Sequence, residues 1–382
     1  MLSTSDFPRG EGILDTFFKS KDNINPIINN KQYPSPSIPL PHHGGRVGVR
    51  GLSYITMEYS SRIDLTDFNS KIAELKFAVN SIVKGQDEVL ELLLTALLAD
   101  GHVLLEGVPG VAKTLMAKTL AQLINADFKR LQFTPDLMPT DVVGTSILNT
   151  QTQDFTFRKG PVFTQFLLVD EINRAPAKTQ AALFECMQER QVTFDGTTYP
   201  LPDFYMVMAT QNPIDQEGTY RLPEAQMDRF LLKVTVGYPS VESELKILQE
   251  YHQGNKLHEV RFDRPVLTLD ELRTLRGMLK DVVVDDSLMK YLCNIVAATR
   301  NSTYTWIGGS PRASIALLQT AKAHAILSGR DFVTPDDIHF LAPYVLAHRV
   351  TLTAEAELNG MTVAQLVKQI IDNVEINDTE VS

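Results

Sequence analysis

The run Leu104-Leu105-Glu106-Gly107-Val108-Pro109-Gly110-Val111-Ala112-Lys113-Thr114-Leu115 carries an apolar stretch into a glycine-bearing loop that closes on Lys-Thr at the start of a helical pattern. A loop of this kind is built for an anion. Its backbone N–H groups turn inward, the following helix offers the positive end of its dipole, the lysine reaches the β and γ phosphates, and the threonine hydroxyl ligates Mg²⁺. Gly107 to Leu115 are therefore candidate cofactor-binding residues, with Lys113 on the phosphates and Thr114 on the metal. The expected ligand is a nucleoside triphosphate. Ala112 stands where the general pattern has glycine; alanine suits a loop of negative φ and is strained at positive φ. A plain strand-to-helix turn is the competing interpretation, and the rest of the chain weighs against it.

Phe166-Leu167-Leu168-Val169-Asp170-Glu171 is an apolar strand pattern ending in two adjacent carboxylates. Neighbouring strand residues point to opposite sides, so the two do different work. Asp170 suits a carboxylate that holds Mg²⁺ through water, and Glu171 a base that orients the attacking water. Acidic residues also follow strands merely because loops are solvated. Met208-Ala209-Thr210-Gln211-Asn212-Pro213 brings an amide to another strand end, where Asn212 could position the same water; an asparagine before proline is equally a turn starter. Arg229 and Arg312 are the candidate cations for charge that develops on the γ-phosphate, a role worth roughly 10³–10⁵ in rate. The ordinary alternative for either is a surface ion pair.

The elements that must position these residues follow from periodicity. Between Asp67 and Ala99 apolar residues recur at helical spacing, which predicts two helices separated at Lys84-Gly85-Gln86. Apolar runs at His102–Leu105, Gln165–Val169, Tyr205–Ala209 and Leu231–Val236 predict parallel strands covered on both faces, and a further strand is expected near Phe128–Phe133. The fold expected is α/β, a doubly wound parallel sheet, over residues 57–239. Beyond Pro239 helices dominate. Thr268 with Glu271 forms a capping box, Leu288, Leu292, Ile295 and Val296 make a buried stripe, and Ser310-Pro311 and Thr334-Pro335 are helix starts, the first leading to a stop at Gly329. A smaller all-helical domain over residues 240–382 is expected. Residues 1–56, rich in Pro, Gly and Asn with no sustained period, read as a disordered extension. Met57 resembles an ordinary start, so intact mass of the native protein would show whether residues 1–56 are made.

Composition bounds the function. The chain has 382 residues, 43% of them hydrophobic, and a net charge of -10 from 36 Lys and Arg against 46 Asp and Glu. That balance disfavours broad adhesion to nucleic acid or anionic membrane. No apolar run approaches the ~20 residues of a membrane span, and no basic start precedes an apolar core as in a secretory signal. Cys186 and Cys293, both within apolar helical patterns, read as buried thiols in a reducing compartment. The cytoplasm is the expected location.

Taken together, these segments resemble the AAA+ ATPases and, among them, the MoxR family. The resemblance covers roughly residues 65–350. Beyond the nucleotide motifs it rests on Gln132-Phe133-Thr134-Pro135-Asp136-Leu137, Asp170-Glu171-Ile172-Asn173-Arg174-Ala175-Pro176, Met187-Gln188-Glu189-Arg190-Gln191-Val192, Ala209-Thr210-Gln211-Asn212-Pro213 and Gly309-Ser310-Pro311-Arg312-Ala313. It implies an AAA+ core and helical lid, ATP and Mg²⁺ as cofactors, and residue roles. Lys113 and Thr114 look like Walker A, Asp170 and Glu171 like Walker B, Asn212 like sensor one, Arg229 like the finger that reaches a neighbouring subunit, and Arg312 like sensor two. Gly85 and Gln86 are grouped with the nucleotide-binding residues. The family commonly has alanine at the position of Ala112. Arg221 is a departure, since relatives usually show proline there. Hairpins around Thr150–Asp154 and Asp195-Gly196 look like the family's insertions, which in related rings project toward a central channel; plain sheet elaboration is the alternative. The resemblance further implies a homo-hexameric ring, chaperone-like work on a protein client, and a partner with a von Willebrand factor A domain. Other classes are a DNA-dependent AAA+ motor, revealed by DNA-stimulated hydrolysis, a small-molecule P-loop kinase, revealed by phosphorylation of an acceptor, and a nucleotide-gated binding module with negligible turnover.

Overall fold

The structure is a computed structural model, and it describes residues 63–148, 153–212, 220, 222–254 and 262–376. The expectation for residues 1–56 lies outside the described residues. Two helices come first, α1 (Thr66–Ile82) and α2 (Asp87–Leu98), broken where expected. The core continues with β1 (Val103–Glu106), α3 (Lys113–Leu123), β2 (Phe128–Gln132), α4 (Pro139–Val143), β3 (Gly144–Leu148), β4 (Phe155–Lys159) and β5 (Phe166–Asp170). It ends with α5 (Ala177–Glu189), β6 (Gln191–Phe194), β7 (Thr197–Pro200), β8 (Met206–Gln211), α6 (Glu224–Met227) and β9 (Leu232–Thr235).

The five expected strands form one parallel sheet in the order β2-β5-β8-β1-β9. Alternation along each strand explains why the runs are apolar throughout. Val103, Leu105, Phe166, Leu168, Met206 and Met208 pack into one apolar layer. Leu104, Leu167, Val169, Val207 and Ala209 pack into the other. Both hairpins form: β3 pairs with β4 and β6 with β7, all antiparallel. Asp195 and Gly196 have φ of 49° and 74°, the pair of positive values that a type I′ turn demands. Phe157 of β4 stacks on Phe194 and Tyr199, centroids 5.0 and 4.5 Å away, so the hairpins form one elaboration. Part of the Thr150–Asp154 turn lies outside the described residues.

The carboxyl-terminal part holds α7 (Val241–His252), α8 (Leu269–Met278), α9 (Asp286–Asn301), β10 (Thr305–Ile307), α10 (Pro311–Leu327), α11 (Pro335–Leu346), β11 (Thr351–Leu352), α12 (Ala354–Leu358) and α13 (Val363–Asn373). It is helical as expected, except for a short antiparallel ladder between β10 and β11. The caps predicted at Thr268 and Thr334 both close as capping boxes. Ser310 starts α10 with Pro311 in its first turn, although its hydroxyl makes no cap bond. Leu292, Ile295, Leu317, Ile338 and Leu341 join the apolar layer that holds Val103 and Leu105. The lid is thus seated on one face of the sheet.

One expectation is corrected. Cys186 is buried, its thiol pushed up to about 12 by desolvation, but Cys293 is exposed. Cys293 follows Leu292 on α9, and one residue is about 100° of helical turn, enough to carry it off the buried stripe. Among the described residues no helix is long and apolar enough to cross a membrane.

Candidate functional site

Parallel pairing brings the ends of β1, β8 and β5 side by side, and the loop after β1 opens at that edge. A cavity of ≈ 370 Å³ lies there, lined by Gly107, Pro109, Gly110, Ala112, Lys113, Thr114, Leu115, Arg130, Gln132, Asp170, Glu171, Thr210 and Asn212. Sheets of this kind hold ligands in this position, outside the carboxyl ends of the strands. Gly107 is needed for close approach: a Cβ there would meet the Val236 carbonyl oxygen at 2.4 Å. Ala112 has φ of 60°, and it caps α3 in the left-handed region. The negative φ that would make alanine comfortable is not what the loop adopts, so this position carries strain of roughly 1–2 kcal/mol.

Lys113 donates to the Gly107 carbonyl at 2.6 Å. Burial pushes its ammonium pKa down, against the pull of Asp170, Glu171 and Glu106. Three carboxylates thus favour the charged form of this partly desolvated lysine. Asp170 accepts from Arg130 Nε at 2.6 Å and from Thr210 Oγ1 at 3.2 Å. Thr210 Oγ1 in turn accepts from the Glu171 N–H at 3.0 Å. One hydroxyl on β8 therefore ties the Asp170 carboxylate to the Glu171 backbone at the end of β5. Glu171 sits in the left-handed region, φ 56° and ψ 51°, and its carboxylate accepts from Gln132 Nε2 at 2.8 Å.

Not every candidate shares this cavity. Val111 is buried and Val108 packs against the core, so their side chains serve packing. Gly85 and Gln86 line a second cavity with Thr235, Gly237, Tyr238 and Tyr344, where Gln86 Nε2 donates to the Gly237 carbonyl at 3.0 Å. Arg229 and Arg312 face a third cleft of ≈ 340 Å³, with Gln188, Arg190, Asp228 and Arg349. Arg229 donates to Gln188, and its Nε is buried with no partner among the described residues. Arg312 Nη1 pairs with Asp228 at 3.4 Å. Arg221 lies outside the described residues. Arg130, Gln132 and Thr210 enter the site without having been singled out for it; the signal for Thr210 was a hydroxyl in an otherwise apolar strand end.

This arrangement has known relatives. Residues 102–232 match the ATPase family associated with various cellular activities, and residues 297–370 match the AAA lid domain. Chaperone MoxR1 of Mycobacterium tuberculosis is 44% identical over 307 residues, 78% of this chain and 80% of that protein. The chain belongs to the MoxR family of AAA+ ATPases. The uncharacterised protein YeaC of Bacillus subtilis is 48% identical over 298 residues, 78% of this chain and 92% of that protein. The MoxR fold recurs in a crystal structure from Cytophaga hutchinsonii provisionally described as an ATPase, with TM-score 0.75, 43% identity, and coverage of 81% of this chain and 96% of that one.

Proposed function

We propose that this chain hydrolyses ATP with Mg²⁺ inside a homo-hexameric ring and uses the cycle to remodel or mature client proteins. The observation that carries this is a division of labour. Lys113, Thr114, Asp170, Glu171 and Asn212 gather at one cleft, whereas Arg229 and Arg312 sit in another. Arg130 lines the first cleft, but Arg229 and Arg312 would have to reach it from a second chain.

The residues fit a metal-bound triphosphate: the glycine-bearing loop, a partly buried lysine, a hydroxyl and an aspartate all line the cavity wall. Mg²⁺ neutralises phosphate charge and needs only one or two protein oxygens beside the phosphates. Thr114 would supply one directly, and Asp170 would act through water on the metal. Lys113 would bind the β and γ phosphates, Asn212 would hold the attacking water, and Glu171 would take its proton. Arg229 and Arg312 of the adjacent subunit would face the charge that develops on the γ-phosphate. Hydrolysis then depends on assembly, and the lid beyond residue 240 is the part that moves.

Client work is supported by the name of the chaperone relative and by the hairpin elaboration, whose Ile147, Leu148 and Phe155 are exposed. A partner with a von Willebrand factor A domain belongs to the same proposal, as does a cytoplasmic location, which the free Cys186 and Cys293 suit. Dilution tests the ring. Phosphate release per subunit should fall as chains dissociate and recover on concentration, and Lys113→Ala should abolish ATP binding. A rate per subunit that stays constant down to the monomer would overturn completion in trans.

A further inference from the structure

Arg349, just after α11, is almost enclosed, with 4% of its side chain exposed. Its guanidinium brackets Arg229 in sequence. Nε donates to Asp228 Oδ1 at 2.7 Å, Nη2 to the Phe230 carbonyl at 2.7 Å, and Nη1 to the Leu231 carbonyl at 3.0 Å. Nη1 also donates to Val345 O on α11, its own helix, at 2.5 Å. His348 Nε2 adds a bond to the same Phe230 carbonyl at 2.8 Å. Two consecutive lid residues thus grip the backbone on one side of Arg229 and the carboxylate on the other. That carboxylate is shared: Asp228 Oδ2 accepts from Arg312, whose side chain is 74% exposed.

A guanidinium buried this deeply must have its donors satisfied. Arginine is suited because its planar fork meets a carboxylate and two carbonyls at once, which a lysine point charge cannot do. Such a clamp could serve only to seat the lid on the core. Its placement says more, because one candidate trans arginine, Arg312, pairs with the carboxylate it holds, and the other, Arg229, directly follows that carboxylate in the chain and lies between the two points of grip. The Arg312 bond is long and exposed, and so is the one that yields when a phosphate competes. Arg349 then keeps Asp228 paired, so releasing Arg312 leaves no stranded carboxylate.

We propose that Arg349 is a positioning residue through which the lid of one subunit sets the reach of Arg229 and Arg312 into the phosphate site of the next. This rests on the trans-arginine proposal above. Movement of α11 pulls the 228–231 segment with it, so the lid state of one subunit governs hydrolysis by its neighbour. The clamp acts on the adjacent site and leaves its own ATP cleft untouched.

Full-length Arg349→Lys is the test. Its kcat should fall about 10²-fold, the cost of a finger misplaced by about 1 Å, with ATP affinity unchanged. Mixing it with Glu171→Gln should restore turnover at intermediate ratios, because a mixed interface pairs an intact base with an intact clamp. Recovery by Arg229→Ala with Glu171→Gln, but none by Arg349→Lys with Glu171→Gln, overturns the positioning role and spares the trans proposal. No recovery in either mixture overturns the trans proposal itself. Undiminished kcat in Arg349→Lys also overturns the clamp. If Arg349→Lys loses ATP binding through misfolding, Asp228→Ala, which removes the carboxylate the guanidinium holds while leaving Arg349 its Phe230, Leu231 and Val345 carbonyl partners, takes its place with the same expected complementation and the same contrary result.

Discussion

Gln132 on β2 donates to the carboxylate of Glu171 at 2.8 Å, and Arg174 Nε lies 3.0 Å from the same oxygen. The group proposed to take a proton from water is thus held by two neighbours. Removing one donor should free it to turn toward the nucleophile. Gln132→Ala should raise basal turnover by up to about tenfold, the equivalent of roughly 1.4 kcal/mol. Steady-state phosphate release checks this, and a lowered rate would show that Gln132 assists the base instead of restraining it.

Arg130 Nε donates to Asp170 Oδ2 at 2.6 Å, an oxygen that could otherwise accept from water on the metal. The side chain is half exposed, so the pair is worth little in stability yet competes directly for the oxygen. Arg130→Ala should lower the Mg²⁺ concentration for half-maximal hydrolysis. A higher requirement would mean that Arg130 chiefly holds the phosphates.

His102 is buried behind the sheet. Its Nδ1 accepts from the Val207 N–H at 3.0 Å and its Nε2–H donates to the Met187 carbonyl at 3.3 Å. Protonating Nδ1 would set donor against donor. Burial, with Arg190 adding to it, lowers its pKa from 6.5 to about 4. The unfolded chain therefore takes up the proton first as pH falls. Stability from this residue is complete above pH 6.5 and declines between 6.5 and 4 by on the order of 3 kcal/mol. His102→Asn, which can still accept from Val207, should flatten the melting-temperature profile across that window, with a remnant slope from His348, also depressed by burial. An unchanged slope would contradict the assignment.

Phe155 is 72% exposed on β4, an unusual place for a phenylalanine unless something covers it during function. Phe155→Ser should reduce the proteins recovered with a Glu171→Gln trap from native extract, with ATP affinity preserved. Equal recovery would remove the hairpin from client contact.

Much of this was readable from the chain because phosphate binding is local. Gly107 to Thr114 make a loop whose chemistry lies in consecutive residues, and β1, β5 and β8 announce themselves by being covered on both faces. Arg130 and Gln132 were not readable as site residues, since their partners Asp170 and Glu171 lie 40 and 39 residues away and β2 reads as a half-exposed strand. Arg349 carries no local motif that marks it, since its partner Asp228 is 121 residues distant. The placement of Arg312 beside Asp228, away from the phosphate cleft, is set by how the lid packs on the sheet, which no local pattern encodes. Cys293 shows the same limit at smaller scale, where a single step around α9 decides burial.

Phosphate release by Glu171→Gln under saturating ATP and Mg²⁺, set beside the wild-type chain, bears most directly on the proposed chemistry. ATP should remain bound with turnover reduced by about 10²-fold or more, because the Lys113 cradle is intact and only the water's proton acceptor is gone. Turnover at the wild-type rate would contradict the assignment of Glu171 and, with it, the hydrolytic cleft at the ends of β1, β5 and β8.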